Sequence, residues 1–176
     1  FYREPKTRYT AIQQWFPAGE NRAPFYSCIF DPVTSESCSW IIRKDDTLIF
    51  GGCFSPQDSR EAYNRQKSRL EEYLGHSLGQ PIKTEACQAV RPRGFSDFIT
   101  GRDGVYLIGE AAGFISASSF EGISSAIRSG SALAEAMSQA AEDRELARLY
   151  RRKMTSLRLK LWLKTIKRWF MYTPWV

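Results

Sequence analysis

The chain has 176 residues, 43% apolar and 25% charged, with a net charge of +6, enough to bury a core without a metal or disulfide staple. It contains no apolar run of about 18 residues, the length a membrane-crossing helix needs, and no signal-peptide pattern, so a cytoplasmic protein is expected. The four cysteines, Cys28, Cys38, Cys53 and Cys87, show no Cys-x-x-Cys spacing and read as reduced thiols, and a single histidine, His76, argues against a metal centre.

In chain order, Arg8 to Phe16, Phe25 to Phe30, Cys38 to Arg43 and Thr47 to Phe54 read as strands, separated by turn signals at Pro17 to Asn21, Asp31-Pro32 and Lys44 to Asp46. The short third link makes the last two strands a hairpin. Ser59 to Leu74 has Ala62, Tyr63, Leu70, Tyr73 and Leu74 among charges, a helical pattern with Gly75 as terminator. His76 then falls in a surface turn, Ile82 to Val90 reads as another strand, and Phe95 to Arg102 as a connecting loop. The fold class expected is α/β of the α+β kind. An antiparallel sheet portion covers 1–94, a strand and a long helix follow over 95–141, and a helical tail covers 142–176.

The run from Gly104 to Gly130 carries the chemistry. Val105 to Ile108 has the apolar character of a buried strand, and Gly109 ends it where the chain must turn. Glu110 stands at the strand's carboxyl end, and Ala111, Ala112 and Gly113 leave the backbone open to close approach. Ser118 and Glu121 have capping-box spacing, so a helix is expected to begin near Ser118 or Ser119 and to point its positive end back at the turn. Read without a ligand, the same run is a plain strand-turn-helix with a capping carboxylate.

This run resembles the second cofactor motif of the superfamily of FAD-dependent monooxygenases, halogenases and geranylgeranyl reductases, whose pattern is roughly Gly-Asp-Ala-Ala-Gly, a proline, then Gly-Glu-Gly-Ile. The resemblance implies an FAD site at Gly109, Glu110, Ala111, Gly113, Glu121, Gly122 and Ile123. Glu110 would bond a ribityl hydroxyl, and the amides of Gly122 and Ile123 would face the pyrimidine edge of the flavin, where reduction places negative charge. Glu110 stands for the family's aspartate, Ala117 for its proline and Phe120 for a glycine, and an aromatic ring there could reshape the flavin face. The superfamily's opening Gly-x-Gly-x-x-Gly turn occurs nowhere in the chain, which starts at Phe1. The chain is therefore expected to be the carboxyl-terminal half of a longer flavoprotein.

A second stretch, Cys38 to Lys44 followed by Asp45, Asp46 and Gly51-Gly52, resembles the Tyr-x-Trp-x-Phe-Pro-Lys strand and hairpin of geranylgeranyl reductases. Trp40 and Lys44 match that pattern, while Cys38 stands for tyrosine and Arg43 for proline; flavin halogenases have a Trp-x-Trp-x-Ile-Pro strand in a comparable place. The likeness implies that Trp40 lines a substrate cavity; as a residue alone it reads equally as a core tryptophan. Phe50 and Phe54, with Trp15 and Phe25, are the other expected aromatic walls, suited to a hydrophobic small molecule such as a prenyl lipid. Arg91 and Arg93 could hold a phosphate or make surface salt links. No residue identifies a general acid or the electron donor. In such enzymes the flavin supplies the chemistry.

From Arg144 to Val176 there are ten basic residues and one acidic residue, a net of +9, so residues 1–143 sum to −3. Within 157–170, Leu159, Trp162, Leu163, Ile166, Trp169 and Phe170 recur at helical spacing, with Lys160, Lys164, Lys167 and Arg168 largely elsewhere. Such a basic amphipathic helix either touches an anionic membrane peripherally or packs its stripe on the protein. No nucleic-acid-binding motif accompanies it. The expected activity is that of part of a geranylgeranyl-reductase-like FAD-dependent oxidoreductase. The alternatives are a flavin monooxygenase or halogenase, or a membrane-associated module that has lost its cofactor.

Overall fold

The computed structural model describes residues 7–19, 26–31 and 39–171, apart from the side chains at 169 and 171. The expected elements at Phe25 and Cys38, and the turn residues Glu20, Asn21 and Pro32, lie outside the described residues. The elements are β1 (Arg8–Pro17), β2 (Tyr26–Ile29), β3 (Ser39–Lys44), β4 (Thr47–Phe54), α1 (Ser59–Leu74), β5 (Lys83–Val90), β6 (Gly101–Arg102), β7 (Val105–Tyr106), α2 (Ile123–Gln139), α3 (Asp143–Lys153) and α4 (Thr155–Met171). The fold is α+β, in two compact units: one is Arg8–Ala89, and the other runs from Val90 onward and includes Thr7.

The first unit is a five-stranded sheet in the order β2-β3-β4-β1-β5 with α1 on one face. The β3–β4 hairpin turns at Asp45, whose φ of 52° is the left-handed conformation a tight turn requires and aspartate tolerates. Its register sets Trp40 opposite Gly51, and Gly51 opposite Gln13 of β1. Side chains alternate across the pleat, so Leu48, Phe50 and Phe54 share the face of Ile12, Phe16 and Ile41, and all six are buried against α1. From the helix come Ala62, Tyr63, Gln66 and Leu70. The Tyr63 ring lies 5.3 Å from that of Phe50 and 5.8 Å from that of Phe54. Ser39 Oγ donates to Gln66 Oε1 at 2.6 Å, a buried bond that ties β3 to the helix. Tyr73, counted in the helix's apolar pattern, sits in its last turn and is 86% exposed.

Gly75 caps α1 in the left-handed conformation, and Glu71 anchors the chain beyond it. Its Oε1 accepts from Leu78 N at 2.8 Å and Ser77 Oγ at 3.1 Å and pairs with Lys67 Nζ at 3.2 Å. Burial pushes this carboxyl's pKa up, but the Leu78 amide, Lys67 and Ser77 outweigh it and hold the group below its ordinary value. A depressed folded-state pKa contributes stability above the unfolded value and loses it as pH falls through the folded one. Glu71→Gln should therefore cost on the order of 1 kcal/mol at neutral pH. In urea melts, the gap to wild type should shrink as pH falls from the ordinary carboxylate value through the depressed one. A gap independent of pH across that window would contradict the assignment.

The second unit closes around Phe98, Ala112, Phe114, Ala136, Tyr150, Met154, Leu157 and Leu161. Tyr150 OH donates to Leu107 O at 2.8 Å, and burial pushes its pKa up to about 12, so it remains a donor at neutral pH. Tyr106 OH donates to Asp143 Oδ1 at 2.6 Å. These bonds fasten α3 to β7 and to the residue that follows it, Leu107. The strand expected over Val105 to Ile108 is shorter, pairing only Val105 and Tyr106 with Arg102 and Gly101. The loop expected over Phe95 to Arg102 holds a 3-10 turn at Phe95–Asp97 and then β6.

Candidate cofactor site

The motif segment folds from its small residues. Gly109 opens a 3-10 turn, Gly109–Ala112, with φ +55°. A Cβ there would lie 3.0 Å from Ala126 Cβ, so glycine lets the turn rest on the first turns of α2. Gly109 N donates to Ser129 Oγ at 2.9 Å, and Ser129 Oγ donates on to Ala126 O at 3.0 Å. Gly113 closes the turn, its amide donating to Glu110 O at 2.8 Å. Glu110 and Ala111 are thereby exposed, while Gly109 and Ala112 are buried.

The helix does not start where the capping-box spacing suggested. Phe120 has φ +55°, a left-handed backbone that breaks any helix running through it, and α2 begins at Ile123 with Gly122 as N-cap. Ser118 is only 6% exposed and shares a hydrogen bond of 3.1 Å with Ser116 Oγ rather than capping the helix. The Glu121 carboxylate accepts from Ser124 Oγ at 3.1 Å and faces Lys164 Nζ at 3.7 Å. Among the described residues no side-chain hydrogen bond caps the start of α2 at Gly122. The first amides of α2 have no partner within the helix, and Ile123, which opens it, is exposed. The helix end carries a partial positive charge, with the Glu121 carboxylate beside it, bonded to Ser124 of the first turn.

The chain just after β5 joins this site. Val90 N reaches Glu110 Oε1 at 3.5 Å, the long end of hydrogen bonding. Arg91 is buried rather than at the surface: it is 1% exposed, and its guanidinium lies 4.6 Å from the Phe120 ring centroid. The Phe120 ring is thus engaged by a cation. Arg93 is exposed; its Nε donates to Thr7 Oγ1, and its amide donates to Asp97 Oδ2 at 2.8 Å.

In the sheet unit, Trp40 is half-buried, with Nε1 donating to Gln13 Oε1 at 2.8 Å. Its ring crosses Gly51, where a Cβ would come within 2.8 Å of the indole. By register Trp40 shares the face opposite α1 with Gln13, Trp15, Ile49 and Cys53. The expectation that Phe50 and Phe54 line the same wall is corrected: they are 0% and 1% exposed and point into the core under α1. His76 is exposed, its Nδ1 3.1 Å from Leu74 O, as expected of a surface turn. Among the described residues no group of His, Cys, Asp and Glu could hold a metal, and no helix is long and apolar enough to cross a membrane.

Sequence reasoning missed Ser129 and the burial of Arg91. The only local signal for Ser129 is its four-residue spacing from Ser125, both buried on the face of α2 that meets the Gly109 turn.

The fold is similar to those of two solved proteins, a geranylgeranyl bacteriochlorophyll reductase-like protein and a tryptophan 6-halogenase. A geranylgeranyl bacteriochlorophyll reductase-like protein from Thermoplasma acidophilum matches 97% of this chain and 44% of its own with a TM-score of 0.74 at 15% identity. A tryptophan 6-halogenase from Streptomyces toxytricini matches 96% and 31% with a TM-score of 0.59 at 14% identity. In sequence, protein CbrA of Shigella sonnei is 42% identical over 160 residues, 91% of this chain and 44% of its own length. Protein CbrA of Escherichia coli is likewise 42% identical over 160 residues, 91% of this chain and 43% of its own length. The chain thus spans less than half the length of these curated relatives. No protein-family model matches it.

Proposed function

We propose that this chain is part of an FAD-dependent oxidoreductase acting on a hydrophobic small molecule of the prenyl-lipid class. The observation that carries this reading is the N-terminus of α2, with Gly122 as its N-cap, set against the Gly109–Gly113 turn. The Gly122 and Ile123 amides would hold the flavin's pyrimidine edge and stabilise its charge on reduction, and Glu110 would fix a ribityl hydroxyl. The exposed Ala111 would admit the cofactor close to the backbone, Gly109 and Gly113 would shape the turn by packing on Ala126 and Asp97, and Glu121, bonded to Ser124, flanks the helix end. Bound flavin supplies the redox chemistry, and the protein's part is position and electrostatics. Trp40, beside Trp15 on the sheet face away from α1, offers apolar contact area for the substrate.

The test is flavin retention: incubate the purified chain with excess FAD, desalt, and record the visible flavin bands, repeating this with the full-length gene product. Glu110→Ala, at an exposed position, should leave folding intact and weaken retention about tenfold, the loss of one hydrogen bond to a charged acceptor. Flavin bound by neither protein, or bound equally well by the variant, would count against the reading. Fold likeness to the halogenase supports a second reading, an oxygen-using monooxygenase or halogenase. Oxygen consumption with substrate by the intact protein, against anaerobic substrate reduction, separates the two.

A further inference from the structure

α4 carries two apolar stripes on opposite sides. Leu157, Leu161 and Thr165, at four-residue spacing, are 6%, 2% and 8% exposed; with Met154, Leu157 and Leu161 belong to the core of Phe98, Phe114 and Tyr150. With each residue turning the helix by about 100°, Leu159, Leu163, Ile166 and Phe170 fall together on the far side. They are 50%, 52%, 43% and 67% exposed. The stripe expected from the sequence is therefore not what packs the helix onto the protein: apart from Trp162, which packs against the core from the edge, its described members face outward.

The border of that outward stripe is basic. Lys160, Lys164 and Lys167 fall along one flank, and the helix holds five basic residues and no acidic one. Lys160 and Lys167 are exposed, and Lys164 has one loose ion pair, with Glu121 at 3.7 Å. The stripe from Leu159 to Phe170 runs about 16 Å along the axis at 1.5 Å per residue, three turns of continuous apolar surface beside a row of cations. We propose that α4 lies on the surface of an anionic lipid bilayer. Leu159, Leu163, Ile166 and Phe170 enter the boundary between headgroups and acyl chains, and Lys160, Lys164 and Lys167 meet the lipid phosphates. Long lysine stems suit this, since they lie along the apolar surface while their ammonium groups stay in water. A second copy packed antiparallel, stripe to stripe, fits the face poorly, because it sets the two lysine rows on the same side of the pair. The inference does not depend on the flavin reading.

The test is co-sedimentation of the full chain with vesicles of phosphatidylcholine alone and of phosphatidylcholine mixed with phosphatidylglycerol. The chain should partition onto the mixed vesicles, lose most of that binding in high salt, and bind neutral vesicles weakly. Leu163→Glu with Ile166→Glu, both on the exposed stripe, should cut partitioning at least about tenfold, with circular dichroism and the melting temperature unchanged. Lys160→Gln with Lys167→Gln should weaken it several-fold without affecting the fold. Wild-type chain that stays in the supernatant with anionic vesicles, or a glutamate variant that sediments as well as wild type, overturns the proposal. So does a wild-type dimer in size-exclusion chromatography that the glutamate variant abolishes, since the stripe would then belong to a second copy.

Discussion

Phe50→Ala and Phe54→Ala should each lower unfolding stability by about 3–5 kcal/mol, the cost of truncating a fully buried aromatic side chain. Both rings are essentially without solvent contact, and the Tyr63 ring of α1 packs against the two of them. Removing either opens a cavity that the sheet backbone on one side and α1 on the other are too regular to collapse into. Tyr63 would also lose the packing that buries its phenol, a burial that already drives its pKa upward. Trp40→Ala makes the contrast. Trp40 is half-buried on the opposite face of the sheet, so truncation should cost only about 1–2 kcal/mol. Denaturant melts of the three variants decide the matter. If Phe50→Ala is as stable as wild type, the ring does not belong to this core and the cavity-wall reading of the sequence returns.

What the sequence disclosed follows from how far each determinant lies along the chain. The β3–β4 hairpin and α1 with its Gly75 cap were legible because turn residues, strand alternation and a helix terminator are encoded within a few positions. The orientation of Phe50 was not. Every residue of β4 from Leu48 to Phe54 is buried, so the strand has no polar face to mark which side meets the helix; only pairing with β1 and β3 settles that. The start of α2 was misplaced because Ser118 and Glu121 satisfy a spacing rule that is blind to the left-handed backbone at Phe120 between them. Ser129 was invisible since its partner, Gly109, lies 20 residues earlier. In α4 the largest side chains drew attention to the outward stripe, whereas Leu157 and Leu161 are what tertiary packing selected.

Gly113→Ala should be the most damaging single-methyl change in the motif, costing about 2–4 kcal/mol and abolishing whatever flavin retention the chain has. Two effects add at this position. Gly113 has φ +78°, a conformation that costs a side chain roughly 1–2 kcal/mol, and its added Cβ would overlap the backbone carbonyl of Asp97. That overlap cannot be relieved by a rotamer change, because the obstacle is main chain. The Asp97 carboxylate holds the amides of Arg93 and Gly94 at 2.8 and 3.3 Å, and the next residue, Phe98, is 2% exposed in the core. Yielding at Asp97 therefore disturbs both the Arg93 segment and the packing under α4. Gly104→Ala isolates the first effect, since Gly104 has nearly the same φ, +75°, but nothing within 4 Å of the place an added methyl would occupy. It should lose only the backbone contribution and keep whatever flavin binding the chain has. Equal melting temperatures for the two variants would mean that the Gly113–Asp97 approach is not tight, and the Gly109–Gly113 turn would lose its argument as a rigid cofactor platform.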